Sequence, residues 1–184
     1  MARNRNNILI RGLTGSLGDQ FVIRQDKAGR TIVANKPEFD ENHEFSERQK
    51  ANQEAFREAA AYAKRAQGET VYIDKARGTP RSPYNVAFAD WYNKPQIKNL
   101  DLADWNGGAG QPIRIKAIDD VQVTRVYIVI SDGNGTVFEQ GNAQPDEASW
   151  WTYRTTQATN GSRRLQIAAY DKAGNKVETT WQNN

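Results

Sequence analysis

The chain has no cysteine, and only one histidine and one methionine among its 184 residues. Without thiols there is no disulfide, no thiol nucleophile and no thiolate metal site. One imidazole leaves too few nitrogen ligands for a zinc or non-haem iron centre. His43 lies in the acidic stretch "DENHE", beside Asp40, Glu41 and Glu44, and reads as part of a solvated loop. No apolar run reaches the length of about 18 residues that a membrane-spanning helix needs, so no span is expected. The start, "MARNRNNILIRG", is basic but lacks the apolar stretch of a signal peptide. The expectation is therefore a chain that is cytoplasmic at synthesis. No spacing of Ser, His and Asp suggests a hydrolase. The glycines of "GLTGSLG" lack the GK[ST] ending of a phosphate loop and read as a flexible turn. A non-enzyme with no cofactor is expected.

Hydrophobic residues make up 38% of the chain and large aromatics 10%, enough to fill a core. Charge is uneven along the sequence. Residues 1–100 carry 17 Lys/Arg against 12 Asp/Glu, a net of +5, and residues 101–184 carry 8 against 10, a net of −2. That asymmetry suggests two units, placed at 1–95 and 96–184. The first reads as α+β, a β-hairpin plus two helices. "FVIRQ" and "RTIVA" alternate around the turn Asp26-Lys27-Ala28-Gly29, in which glycine supplies the positive φ at the turn's end. Ser46 with Gln49 three residues on forms a capping box. The apolar face that follows is Phe56, Ala59, Ala60 and Ala63, at helical spacing. Ser82 and Pro83 suit the N-cap and first turn of a second helix, which should end near Tyr92, before Pro95. The stretch "ETVYIDKARGTP" between them has no assignable pattern.

The second unit reads as an all-β, immunoglobulin-like sandwich. Seven short strands are expected: "IKNLDLA", "PIRIKAI", "QVTRVYIVIS", "TVFEQG", "SWWTYRTT", "RRLQIAAYD" and "KVETTW". Trp150 and Trp151 must point to opposite faces of their strand. The tetrapeptide "DKAG" recurs at Asp171–Gly174, but its flanks do not align with those of the first copy. Two hairpins using the same turn chemistry are expected, rather than an internal repeat.

Two resemblances follow from these stretches. The segment from "IRIKAIDDVQVTRVYIVIS" to "AAYDKAGNKVETTW" resembles bacterial Ig-like modules. The matching residues are Asp119-Asp120-Val121, Val123 and Val126 before the third strand, and Ala169-Tyr170-Asp171-Lys172-Ala173-Gly174-Asn175 at the last hairpin. The segment "GSLGDQFVIRQDKAGRTIVANKP", with the helix "ERQKANQEAFREAAAYAK", is similar to a group of small Bacteroidota-type proteins that often carry such a C-terminus. This group implies no catalytic motif.

Four surfaces offer candidate functions. A two-stranded hairpin is marginal alone, so the N-terminal strands, with Ile8, Leu9, Ile10, Phe21 and Ile23, are expected to pair with a second copy of the chain. That reading gives a structural, self-assembling protein; a virion or injection-apparatus component fits it by elimination. Arg3, Arg5, Arg11, Arg24 and Arg30 are a nucleic-acid alternative, although the charge excess is mild and nucleic acid is not the expected partner. Trp105, Trp150, Trp151 and Trp181 are the candidates for a sugar-stacking platform. Asp119, Asp120, Asp132 and Asp171 are weak calcium candidates. "SDGNGT" fails the EF-hand pattern, and turn chemistry alone explains its Asp.

Overall fold

The computed structural model describes residues 2–4, 12–38, 44–159 and 161–183. The chain forms two compact units. One comprises Met1–Ala55 with Gly78–Pro80, the other Phe56–Arg77 with Arg81–Asn184. The compositional boundary at 95/96 falls inside the second unit.

The first unit carries a four-stranded antiparallel sheet, in the order β1 (Ala2–Asn4), β4 (Thr31–Asn35), β3 (Phe21–Gln25), β2 (Gly15–Leu17). The expected hairpin is β3–β4, with Ile23 opposite Val33 and Arg24 opposite Ile32. The "GLTGSLG" stretch is more than a turn. Gly15 to Leu17 pair with Ile23 to Phe21 as an edge strand, and the chain reverses at Gly18, whose φ of 60° favours glycine. Cross-strand partners share a face, so Leu17, Phe21, Ile23 and Val33 form one apolar row. Ile23 is buried, but Leu17 is 56% and Phe21 38% exposed.

Helix α1 (Glu47–Ala66) starts at the expected capping box. Gln49 N–H donates to Ser46 Oγ at 3.3 Å, and Ser46 N–H donates to Gln49 Oε1 at 2.8 Å. Its buried stripe is Ala59, Ala63 and Ala66. Phe56, expected on that stripe, is instead 57% exposed and meets Phe88 edge-on at 5.0 Å. The unassigned stretch is helix α2 (Thr70–Ala76), and α3 spans Pro83–Tyr92, with Asn85 N–H donating to Ser82 Oγ at 3.2 Å. Ala63, Ala66, Tyr72, Ala76, Val86, Ala87 and Val121 make one small buried cluster. Among the described residues no helix is long and apolar enough to cross a membrane.

All seven expected strands form, as β5 (Gln96–Asp101), β6 (Pro112–Ile118), β7 (Val123–Asp132), β8 (Val137–Asn142), β10 (Trp150–Arg154), β11 (Arg163–Asp171) and β12 (Lys176–Gln182). A two-residue strand, β9 (Gln144–Pro145), joins them. Two antiparallel sheets result, in the orders β5-β6-β10-β9 and β12-β11-β7-β8. They sandwich the main core, in which Ile113, Ile115, Trp151 and Tyr153 of one sheet share a cluster with Val126, Ile128, Ile130, Leu165 and Ile167 of the other. Period-two alternation is why this half was legible: β6 buries Ile113, Ile115 and Ala117 and leaves Arg114 and Lys116 outward. Trp151 turns inward, while Trp150 faces out beneath the Arg114 guanidinium, 5.0 Å from its ring centroid.

Candidate functional site

Three hairpin turns repeat one design. Asp26, Asp132 and Asp171 each donate their N–H to the carbonyl four residues on, at 3.0, 2.9 and 3.1 Å. Each accepts that residue's N–H on its carboxylate, at 2.9, 2.7 and 2.7 Å. The glycines at the fourth position, Gly29, Gly135 and Gly174, have φ of 73°, 92° and 93°, which side-chain-bearing residues rarely adopt. The recurrence of "DKAG" is therefore turn chemistry, shared by "DGNG".

One of the three turns does more. Backbone N–H groups hold the Asp26 and Asp132 carboxyls below the usual carboxylate range. Asp171 is almost wholly buried, and desolvation pushes it up. The fifth residue makes the difference: it is Arg30 in one turn, Thr136 in another and Asn175 in the third. Asn175 Nδ2 lies within 3.2 Å of the carbonyls of Asp90, Trp91 and Asn93, and 2.8 Å from Asp171 Oδ2. It thereby caps the C-terminal end of α3, whose last carbonyls have no helical partner.

The capped end of α3 carries Asp90, which is fully buried. Its Oδ2 accepts from the Tyr72 hydroxyl at 2.6 Å, and Tyr62 bonds Tyr72 in turn. Burial pushes the Asp90 carboxyl up to about 7, opposed by the Tyr72 bond and reinforced by the negative charges of Asp119, Asp171 and Asp120. Asp119 and Asp120 arrive from the β6–β7 loop. Asp119 Oδ2 accepts the N–H groups of Val121 and Gln122, both at 2.9 Å, and Asp120 Oδ2 accepts from Asn93 Nδ2 at 2.8 Å. One carboxylate oxygen each from Asp90, Asp119 and Asp120 lies within 4.8 Å of the others. Among the described residues, Asp90 Oδ1 and Asp119 Oδ1 are buried and meet no donor.

A pH dependence follows. The folded state holds the Asp90 proton to about pH 7, whereas an unfolded carboxyl releases it near 3.8. The folded state therefore binds more protons between those values, and stability falls as pH rises from about 4 to about 7. The Asp90 contribution is on the order of a few kcal/mol. In chelator, the melting temperature of Asp90→Asn relative to wild type should rise across that window. A difference that does not change with pH would refute the assignment.

The structure brings Asp119 and Asp120 together and places Asp171 close enough to act on Asp90 through its charge. Asp132 sits at the opposite end of β7, occupied by its own turn. Asp90, overlooked in the sequence, completes the group. The tryptophans do not form one platform: Trp105 is buried and stacks edge-on with Trp181 at 6.1 Å, Trp151 is in the core, and Trp150 faces outward. Arg24 is exposed, while Arg30 is paired with Asp26. Arg5, Arg11, Ile8, Leu9, Ile10 and His43 lie outside the described residues, and of Arg3 only the backbone is described.

No family model and no curated protein matches this chain. Among solved structures it is similar to CopC from Methylosinus trichosporium OB3b, with 15% identity over 48% of this chain and 89% of that one and a TM-score of 0.37. A tetra-tandem repeat in the extending region of a large adhesion protein gives 16% identity over 50% of this chain and 23% of that one, with a TM-score of 0.35. A conjugative transposon lipoprotein from Bacteroides eggerthii DSM 20697 gives 12% identity over 50% of this chain and 96% of that one, with a TM-score of 0.29.

Proposed function

We propose that this chain is a non-enzymatic structural protein that self-associates through its N-terminal sheet, with an immunoglobulin-like sandwich in its second unit. The strand orders support the sandwich assignment, since β5-β6-β10-β9 and β12-β11-β7-β8 follow the ABED and GFCC′ arrangement of that fold. The observation that carries the self-association is the apolar row of the first sheet. Of the ten residues in β3 and β4, only Ile23 and Thr31 are buried, and the row ends in the exposed pair Leu17 and Phe21. A second copy supplies an identical row, and apposing two such faces buries both. The basic alternative draws less support, because Arg30 is neutralised by Asp26.

Light scattering of the wild type at micromolar concentration should give an oligomer, unchanged between 50 and 200 mM salt because apolar burial is weakly screened. Leu17→Glu with Phe21→Glu should give a monomer whose near-ultraviolet circular dichroism is unchanged. A wild-type monomer that persists at high concentration refutes the reading. So does affinity for DNA that falls with a log–log salt slope of about −4 to −5, the value for five phosphate contacts.

A further inference from the structure

We propose that Asp90, Asp119 and Asp120 form a calcium site where the C-terminal end of α3 meets the β6–β7 loop of the sandwich. The clustering of three acids is one observation. The second, independent of it, is how each is held. One oxygen of every carboxylate is tied down by a neutral donor: Tyr72 on Asp90, two backbone N–H groups on Asp119, and Asn93 on Asp120. The remaining oxygens of Asp90 and Asp119 are buried and meet no donor among the described residues, and Asp90 itself has no solvent exposure. A buried carboxylate oxygen without a partner is costly. Two such oxygens, on acids that cluster with an exposed third and are each held by a donor, give the outer-shell pattern that orients ligands at a metal.

The chemistry selects the ion. All the ligands are hard oxygens, which exclude zinc- and copper-type sites built on nitrogen or sulfur. Three carboxylates on one ion are more than magnesium uses, since it keeps most of its water and takes one or two. Calcium takes six to eight oxygens at 2.3–2.6 Å in flexible geometry. Opposed ligands would then stand about 4.6–5.2 Å apart, in keeping with the 4.8 Å within which these three oxygens fall. Asp120 is exposed, so water can complete the shell from that side. Lys75 Nζ donates to the Asp120 backbone carbonyl at 3.0 Å.

The rival occupant is a proton on Asp90. Calorimetric titration of the full chain with CaCl₂ at pH 7.5 separates the two, because the site lies wholly within the second unit and self-association is read by a different measurement. One calcium per chain is expected, with a rise of several degrees in melting temperature at millimolar calcium. Asp90→Asn and the exposed variant Asp120→Asn should each weaken binding at least tenfold. Asp120→Asn keeps the test valid if Asp90→Asn fails to fold. Binding that survives both substitutions places the ion elsewhere and overturns the proposal. So does the absence of heat and of any thermal shift up to 5 mM CaCl₂ (roughly the affinity of extracellular calcium modules), which leaves the proton on Asp90. Tighter binding of MgCl₂ than of CaCl₂ overturns the choice of ion.

Discussion

Replacing Asn175 with Asp is expected to lower the melting temperature by roughly 10 °C. The substitution changes almost no volume, so the effect isolates chemistry. The side-chain amide donates towards the carbonyls of Asp90, Trp91 and Asn93 and towards the Asp171 carboxylate. A carboxylate in its place donates nothing and sets a negative charge against three carbonyl oxygens and a buried acid. Leaving these acceptors unpaired, those of the buried Asp90 and Asp171 among them, and adding a like charge should cost about 4 kcal/mol. The turn itself survives, because the backbone N–H at position 175 still reaches Asp171 Oδ1. The matched control is Thr136→Asp, at the corresponding position of the β7–β8 turn. That residue is exposed, and the change should cost less than about 1 kcal/mol. Thermal unfolding followed by circular dichroism measures both. Equal losses in the two variants would mean that Asn175 acts only as a turn residue.

Tyr72→Phe should destabilise the protein by about 2–3 kcal/mol at pH 8 and by less at pH 5. Tyr72 is fully buried, and its hydroxyl is the donor to Asp90 Oδ2. The ring stays, so packing is kept and only the hydroxyl's bonds to Asp90 and Tyr62 are lost. The bond to Asp90 holds the carboxyl down against desolvation, so its removal pushes the carboxyl above 7. The sign follows from the proton balance. An ionised Asp90 without Tyr72 has neither oxygen paired, whereas a protonated one carries no charge to solvate. The loss must therefore grow as pH rises through 7. Chemical denaturation at pH 5 and pH 8 tests it, and a loss independent of pH would show that the hydroxyl serves packing alone. Tyr62→Phe should cost less, because Tyr62 is only partly buried and touches Asp90 through Tyr72.

Strands and caps were legible in the sequence because their signals are local. Alternation in "PIRIKAI" marks β6 residue by residue, and Ser46 with Gln49 states the start of α1 within four positions. Helix α2 has two turns, too few for a period to emerge, and its buried residues are just Tyr72 and Ala76. Phe56 was misplaced by the same reasoning that placed Ala59 and Ala63. Periodicity fixes a stripe, but the width of that stripe depends on which neighbours arrive to cover it. Asp119, Asp120 and Asp171 could be picked out because acids in loops draw attention. Asp90 could not, since an Asp inside "FADWY" looks like the polar side of a short helix until α2 and the β6–β7 loop close over it. The second role of Asn175 was hidden for a related reason, because "AGN" is fully explained by the hairpin it closes.

The cap on α3 also sets an order of events in time. Asn175 stands 82–85 residues after the carbonyls it reaches. At a synthesis rate of about 5–20 residues per second, several seconds pass between the emergence of α3 and that of its cap. During that interval α3 has its N-terminal Ser82 in place but its last carbonyls open. The strands of the N-terminal sheet precede α3 in the chain and are synthesised before it. Closure of the β11–β12 hairpin both completes its sheet and brings the Asn175 cap to α3.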